Sequence, residues 1–229
     1  MGQKLGQHFL KDARVAQFIV DSAQIKENEI VLEVGPGKGI ITHLIAKKAK
    51  KVLVVEKDKK LKPFLDELPN NVEVIYGDIL QMNFPKVDKI ISNLPFYISS
   101  KFIFTMPAVP AILGLQKEFA EKMVAEPGSK NYGRLSVSSQ IKFKMKLLKS
   151  FPPTVFSPQP KVSLSIIQIE PNDFSAWKNC EDFIRKVFPY LNKKVDNALK
   201  LGGYSPLGIE KKVRELTPED VIKLSRNFD

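Results

Sequence analysis

The stretch from Ile30 to Lys48 constrains the fold of this chain of 229 residues more than any other. Ile30-Val31-Leu32-Glu33-Val34 is a short apolar run that reads as a buried strand, Gly35-Pro36-Gly37-Lys38-Gly39 follows, and a helical pattern runs from Ile40 to Lys48. Strand, glycine loop and helix in that order open a nucleotide-binding α/β sheet, and the helix N-terminus behind the loop favours an electron-rich group. Gly35, Gly37 and Gly39 let a ligand approach bare backbone. Their G-x-G-x-G spacing misses the dinucleotide fingerprint, which wants its third glycine where Ile40 stands, and Gly37-Lys38 lacks the Ser or Thr that ends a phosphate loop. A structural turn accounts equally well for two of the three glycines.

The strands that follow carry polar groups at their carboxyl ends. Lys51–Glu56 is apolar up to Glu56, which either accepts both hydroxyls of a ribose or belongs to the solvated run Glu56-Lys57-Asp58-Lys59-Lys60. Val72–Tyr76 ends in Gly77-Asp78, where Asp78 either accepts an adenine amine or makes a common turn. A fourth strand leads from Val87 into Asn93-Leu94-Pro95-Phe96-Tyr97. Asn93 offers a side-chain carbonyl, Leu94-Pro95 a fixed turn with an exposed backbone carbonyl, and Phe96 a flat ring. These suit an aromatic base with an exocyclic amine, whereas an isolated match would be an ordinary proline turn. In an open parallel sheet the carboxyl ends share one edge, where ligands bind. A glycine loop, Glu56, Asp78 and Asn93 along it imply a ligand with a ribose, an adenine and an anionic or zwitterionic tail. Without a phosphate loop, that ligand is S-adenosylmethionine.

The remaining chain points to a polyanionic partner. Lys and Arg total 36 against 25 Asp and Glu, a net charge of +11. Pro127 to Ile169 holds no acidic residue but seven basic ones. Within it Ile141–Leu147 alternates with period two, which predicts a strand with Lys142, Lys144 and Lys146 on one face. Those lysines either meet phosphates or protect an edge strand from aggregation. Phe156-Ser157-Pro158-Gln159-Pro160-Lys161-Val162 is a stiff loop presenting an aromatic ring before a last strand, Ser163 to Ile169. Ala111–Gln116 reads as strand five. Helices are predicted at 12–23, with Asp12 as cap, and at 60–67, 119–125, 174–188, 193–201 and 218–228, the last capped by Thr217. The division expected is a catalytic domain over 1–171 and a small helical RNA-contacting domain over 172–229. One cysteine and two separated histidines exclude a disulfide and argue against a metal site, and no apolar run reaches the roughly 20 residues of a membrane span. A cytoplasmic monomer is expected.

Five segments together resemble the ribosomal RNA small-subunit adenine dimethyltransferases, closest to the archaeal and eukaryotic branch. They are Leu5-Gly6-Gln7-His8-Phe9-Leu10, Glu33-Val34-Gly35-Pro36-Gly37-Lys38-Gly39, Asn93-Leu94-Pro95-Phe96, Tyr132-Gly133-Arg134-Leu135-Ser136-Val137 and Phe156-Ser157-Pro158-Gln159-Pro160-Lys161-Val162. The resemblance implies a doubly wound, mostly parallel seven-stranded sheet with a small C-terminal helical domain. It implies that His8 and Leu10 close over the cofactor, Gly35 touches it, Glu56 holds the ribose, Asp78 takes the adenine amine and Asn93 borders both ligands. Phe96 and Phe156 would sandwich the target base. The implied substrate is a pair of adjacent adenosines in the hairpin near the 3′ end of small-subunit rRNA, within the pre-ribosomal small subunit, each gaining two methyl groups at N6. Phe96 stands where the family usually has Tyr, Tyr97 where it has a polar residue, and Asn192–Leu199 is all that matches the basic signature of a helical domain shorter than usual. A large-subunit adenine methyltransferase of the antibiotic-resistance type and a non-catalytic rRNA-binding assembly factor are the alternatives.

Overall fold

The protein's structure, a computed structural model, describes residues 7–172 and 175–228. Lys4, Leu5 and Gly6 of the N-terminal segment and Phe174, the expected start of a helix, lie outside the described residues.

The apolar runs become the strands of one seven-stranded sheet. They are β2 (Ile30–Val34), β3 (Lys51–Glu56), β4 (Val72–Tyr76), β5 (Lys89–Asn93), β6 (Ala111–Gln116), β7 (Phe143–Phe151) and β9 (Leu164–Pro171), in spatial order β4-β3-β2-β5-β6-β9-β7. The first five pair in parallel, and β9 runs antiparallel to β6. Strands covered on both faces need apolar residues at every position, which is why β3 and β6 are continuous apolar runs. From β2 the chain winds outward through β3 to β4, then returns to lay β5 on the other side of β2. The carboxyl ends of β2 and β5 therefore flank the point where strand order reverses, the crevice where such sheets bind ligands. Ser92 fastens them, its hydroxyl donating to the Val34 carbonyl at 2.6 Å.

Helix α1 (Ala13–Ser22) starts where Asp12 accepts the Arg14 N–H at 2.9 Å, as its sequence predicts. Its Val15, Ile19 and Val20 join Ile41 and Ile45 of α2 (Ile40–Ala46) in a core against Val31, Val52 and Ile91. The predicted helix at 60–67 is a short 3-10 turn followed by α3 (Lys62–Leu65). A segment not foreseen, α4 (Ser99–Thr105), follows the Asn93 corner. A separate two-stranded pair joins β1 (Phe9–Leu10) to β8 (Phe156–Ser157), with Leu10 opposite Phe156.

The chain forms two compact units. The first takes residues up to Lys117 with Lys146–Ile169; the second takes Glu118–Met145 with the chain from Glu170 onward. The division thus differs from the expected boundary at 171, because Glu118–Met145 groups with the tail. The reason is α6 (Arg134–Lys142), whose Val137 and Ile141 share a core with Phe183, Ile184 and Val187 of α7 (Ser175–Val187), Leu199 of α8 (Val195–Leu201) and Val221 of α9 (Pro218–Ser225). Tyr132 closes that core, its hydroxyl donating to the Leu216 carbonyl at 2.7 Å. Helix α9 begins with the expected box: Thr217 Oγ1 accepts from the Asp220 N–H at 3.1 Å and Asp220 accepts from the Thr217 N–H at 3.0 Å. Between α5 (Lys117–Met123) and β7, α6 also corrects the expectation for Lys142. Lys142 is the last residue of a helix rather than a strand residue, and it is buried with its ammonium 5.2 Å from the Trp177 ring centre. Lys144 and Lys146 do lie on β7. Among the described residues no helix is long and apolar enough to cross a membrane.

Candidate active site

A cavity of about 320 Å³ opens at the carboxyl ends of β2, β3 and β5. That volume lies at the small end of the range for small-molecule sites. His8, Leu10, Gly35, Gly37, Glu56, Asn93, Leu94, Pro95, Phe96 and Phe156, all expected site residues, line it. Asp78, Gly39, Lys142, Lys144 and Lys146 are not among its lining residues.

The glycine loop and the Asn93 corner are built against each other. Gly35 has φ +67°, and a Cβ there would stand 2.9 Å from Pro95 Cγ; Gly37 has φ +59° with the Phe9 ring 3.0 Å from where its Cβ would be. What presses on this bare backbone is thus Pro95 and Phe9 of the protein itself. Gly39, the left-handed cap of α2, is buried and faces Leu68, so its role is in the turn.

At the end of β5, Asn93 pairs in register with Gly114 of β6, and a Cβ on Gly114 would lie 2.7 Å from Asn93 Oδ1. Only a glycine leaves room for the carboxamide, a supporting role that sequence reading missed. Asn93 Oδ1 is buried and has no hydrogen-bond partner among the described residues. A buried unsatisfied acceptor costs about 1–3 kcal/mol, so turning the carboxamide from Gly114 towards a donor in the cavity is favoured.

Two carboxyl groups share the wall. Glu56 is buried, accepts the Asp58 N–H at 2.7 Å, and is pushed above the usual carboxylate range by burial, which the N–H groups of Asp58, Lys57 and Gly37 partly offset. Glu33, which sequence reading left without a role, is 1% exposed and accepts from Thr42 Oγ1 at 2.6 Å. Burial pushes its carboxyl up to about 8, the Thr42 hydroxyl working against the shift and the Glu56 charge adding to it. A carboxyl raised from 4.5 to about 8 keeps in the folded state a proton that the unfolded chain has lost. Glu33 therefore stabilises the fold relatively at low pH, and that contribution falls between about pH 4.5 and 8, with a slope of at most about 1.4 kcal/mol per pH unit. Glu33→Gln is expected to flatten the stability-versus-pH curve over that window in urea melts. Parallel curves for the two proteins would contradict the assignment.

Asp78 is drawn aside. Its carboxylate accepts the Leu80 N–H at 3.0 Å and pairs with Lys57 Nζ at 3.1 Å. Burial opposes its ionisation, but these partners and the charge of Lys101 outweigh burial and hold the carboxyl below its usual range. His8 donates from Nδ1 to the Pro158 carbonyl at 2.7 Å, so the β1–β8 pair anchors the N-terminal side of the cavity. Phe96 and Phe156 meet edge to face, centroids 6.2 Å apart and planes at 76°. Phe156 is buried in the core. A sandwich needs parallel faces, so these two rings do not form the slot expected for the base; Phe96, half-buried, presents the available ring.

A family model described as ribosomal RNA adenine dimethylase matches residues 2–225. The chain belongs to that family. A probable ribosomal RNA small subunit methyltransferase A from Pyrobaculum islandicum is 36% identical over 233 residues, covering 99% of this chain and 96% of that protein. The crystal structure of a dimethyladenosine transferase from Plasmodium falciparum superposes with a TM-score of 0.83 at 28% identity, covering 96% of this chain and 97% of that one. The 23S rRNA methyltransferase ErmE shares the fold, with a TM-score of 0.71 at 24% identity over 95% of this chain and 98% of its own. Membership of the ribosomal RNA adenine dimethylase family makes methyl transfer the reaction class of this chain.

Proposed function

We propose that this protein uses S-adenosylmethionine to dimethylate N6 of two adjacent adenosines in the 3′-terminal hairpin loop of small-subunit rRNA, during assembly of that subunit. The observation that carries the reading is that Asn93, whose buried Oδ1 has no partner among the described residues, lines a cavity bordered by the glycine loop, in a chain of the adenine dimethylase family.

The residues fit the cofactor. Glu56 supplies a carboxyl acceptor for ribose hydroxyls, and Ile40, Leu61 and Pro95 supply apolar walls for a base. Asp78 would serve the adenine amine once Lys57 releases it. When bound, S-adenosylmethionine supplies an electrophilic methyl group on a sulfonium. The chain's own part is positioning. An adenine amine is a poor nucleophile because its lone pair is delocalised into the ring. If Asn93 Oδ1 and the Leu94 carbonyl accept the N–H groups it carries, two before the first transfer and one before the second, the nitrogen is drawn towards tetrahedral geometry and its lone pair is freed for attack. The proton it sheds on each transfer passes to water. Asn93 reaches the amine by turning its carboxamide about its terminal torsion. The target base leaves its stack at a cost of a few kcal/mol, least for a loop nucleotide, and Phe96 offers a ring against it.

Lys144 and Lys146 belong to the proposed RNA surface. Replacing both with alanine is expected to reduce the slope of log affinity against log salt by about 0.7–0.9 for each phosphate that is no longer neutralised. An unchanged slope would leave them as edge-strand protection.

Transfer of labelled methyl groups from S-adenosylmethionine to unmethylated small subunits tests the reading. Incorporation into small subunits and not large ones is expected. Incorporation only into large subunits would favour the resistance-type alternative, and none into either would favour an assembly factor.

A further inference from the structure

Among the described residues four large apolar side chains are exposed: Phe64 at 41%, Tyr97 at 62%, Leu201 at 54% and Leu207 at 40%. Of the two aromatic ones, Tyr97 stands at the cavity and Phe64 is linked to its lining through Lys38, each ring beside a lysine. Tyr97 lines the cavity directly, next in sequence to Phe96, and the Lys57 charge reaches its hydroxyl. Phe64 stands behind the lip: Lys38, exposed in the glycine loop, holds its ammonium 4.9 Å from the Phe64 ring centre and 5.5 Å from that of Phe9, and both Lys38 and Phe9 line the cavity.

Exposed rings lose the stabilisation of burial, so one ring in the cavity wall and another against its Lys38 ask for an occupant. The charges that reach Tyr97 are Lys57 on one side and the carboxyl groups of Asp78 and Glu56 on the other; Lys101 acts on Asp78 as well, and Lys38 adds a positive charge beside Phe64. Flat rings alternating with lysines match unpaired nucleotides, whose bases stack on aromatic faces while their phosphates meet the ammonium groups. A duplex keeps its base faces covered and offers nothing to stack. The surface is continuous with the pocket proposed for the target adenine.

We infer that Tyr97 and Phe64 are stacking platforms for the unpaired nucleotides beside the target adenosine, with Lys38 and Lys57 facing their phosphates. The inference rests on the RNA-methylating reading above and deepens it: the substrate must be single-stranded on the flanks of the modified base as well as at it.

The test measures binding of Tyr97→Ala, Tyr97→Phe, Phe64→Ala, Phe64→Trp and Lys38→Ala to unmethylated small subunits across a salt series, with S-adenosylmethionine affinity measured separately by calorimetry. Each alanine variant of a ring should weaken RNA binding about 5-fold or more with an unchanged salt slope. The two aromatic replacements should restore binding, which a merely misfolded rim would not allow, and Lys38→Ala should flatten the slope. Wild-type affinity in both Tyr97→Ala and Phe64→Ala would overturn the inference. So would a loss of cofactor affinity in Tyr97→Ala as large as its loss of RNA affinity, because the ring would then serve the cofactor. If the wild-type protein neither binds nor methylates small subunits, the reading beneath the inference fails; if it does both while the ring variants match it, only the inference fails.

Discussion

Replacing Asn93 with alanine is expected to lower the rate of methyl transfer by about 10²–10³-fold, the usual cost of removing one preorganised group aimed at developing charge. Cofactor affinity should fall only modestly. The split follows from where the side chain sits. Asn93 lines the cavity and its Oδ1 is buried without a partner among the described residues, so what the variant loses is an acceptor that can turn to the incoming amine, while Glu56 and the glycine loop stay in place. Ser92 and its bond to the Val34 carbonyl hold the strand end whether or not residue 93 carries a carboxamide. Single-turnover rates with saturating cofactor would read the effect, and near-normal turnover would remove Asn93 from the mechanism. Gly114→Ala offers a companion test that leaves Asn93 in the chain. The added methyl would stand 2.7 Å from Oδ1 and 3.3 Å from Asn93 Cα, so the carboxamide must move. A drop in rate approaching that of Asn93→Ala, with cofactor affinity kept, is the expected result; unchanged kinetics would show that the carboxamide tolerates displacement.

Glu56→Ala should act on the other half of the reaction. Hydrogen bonds to a charged group are worth about 1.5–3 kcal/mol, so losing the acceptor of the ribose hydroxyls should weaken cofactor binding by about 10- to 150-fold. The pH dependence has a definite sign. Burial raises the Glu56 carboxyl above its ordinary range, so the ionised acceptor is lost at a higher pH than for a solvated glutamate. Cofactor affinity of the wild type should accordingly weaken on acidification, beginning above the usual carboxylate range, and Glu56→Gln should remove that part of the dependence. Calorimetric titrations at several pH values would check it. A wild-type affinity that is flat with pH, or a Glu56→Ala protein that binds normally, would place the ribose elsewhere.

The sheet was legible because its central strands need apolar side chains throughout and its edge strand β4 still carries β-branched and aromatic residues around the exposed Glu73. The runs Lys51–Glu56, Val72–Tyr76 and Ala111–Gln116 become strands with those bounds, and the polar residues that end them fall on the ligand edge. Asp12 and Thr217 were legible as caps because a short oxygen side chain ahead of an apolar period has one obvious use. Helix α6 was not. Arg134–Lys142 carries three serines and no strong helical stripe, and the alternation beginning at Ile141 started the strand pattern two residues too early, which put buried Lys142 on the wrong element. The β1–β8 pair, two residues on each side, is too short to show any period. The site was legible as a set of residue types and not as a geometry. Nothing in the letters shows that Asp78 turns to Lys57, that Phe96 and Phe156 meet at 76°, or that Gly114 makes room for Asn93. Those depend on packing between segments distant in the chain.

The Asn93 corner is proposed to serve methyl transfer to N6 of two adjacent, unpaired adenosines in small-subunit rRNA. Mapping methylated nucleosides by mass spectrometry, after incubating unmethylated small subunits with S-adenosylmethionine and either the wild type or Asn93→Ala, tests it most directly. N6,N6-dimethyladenosine is expected at two adjacent positions of the 3′-terminal hairpin loop with the wild type, and none there with the variant. Methylation at another base or position with the wild type, or equal yields from the two proteins, would contradict it.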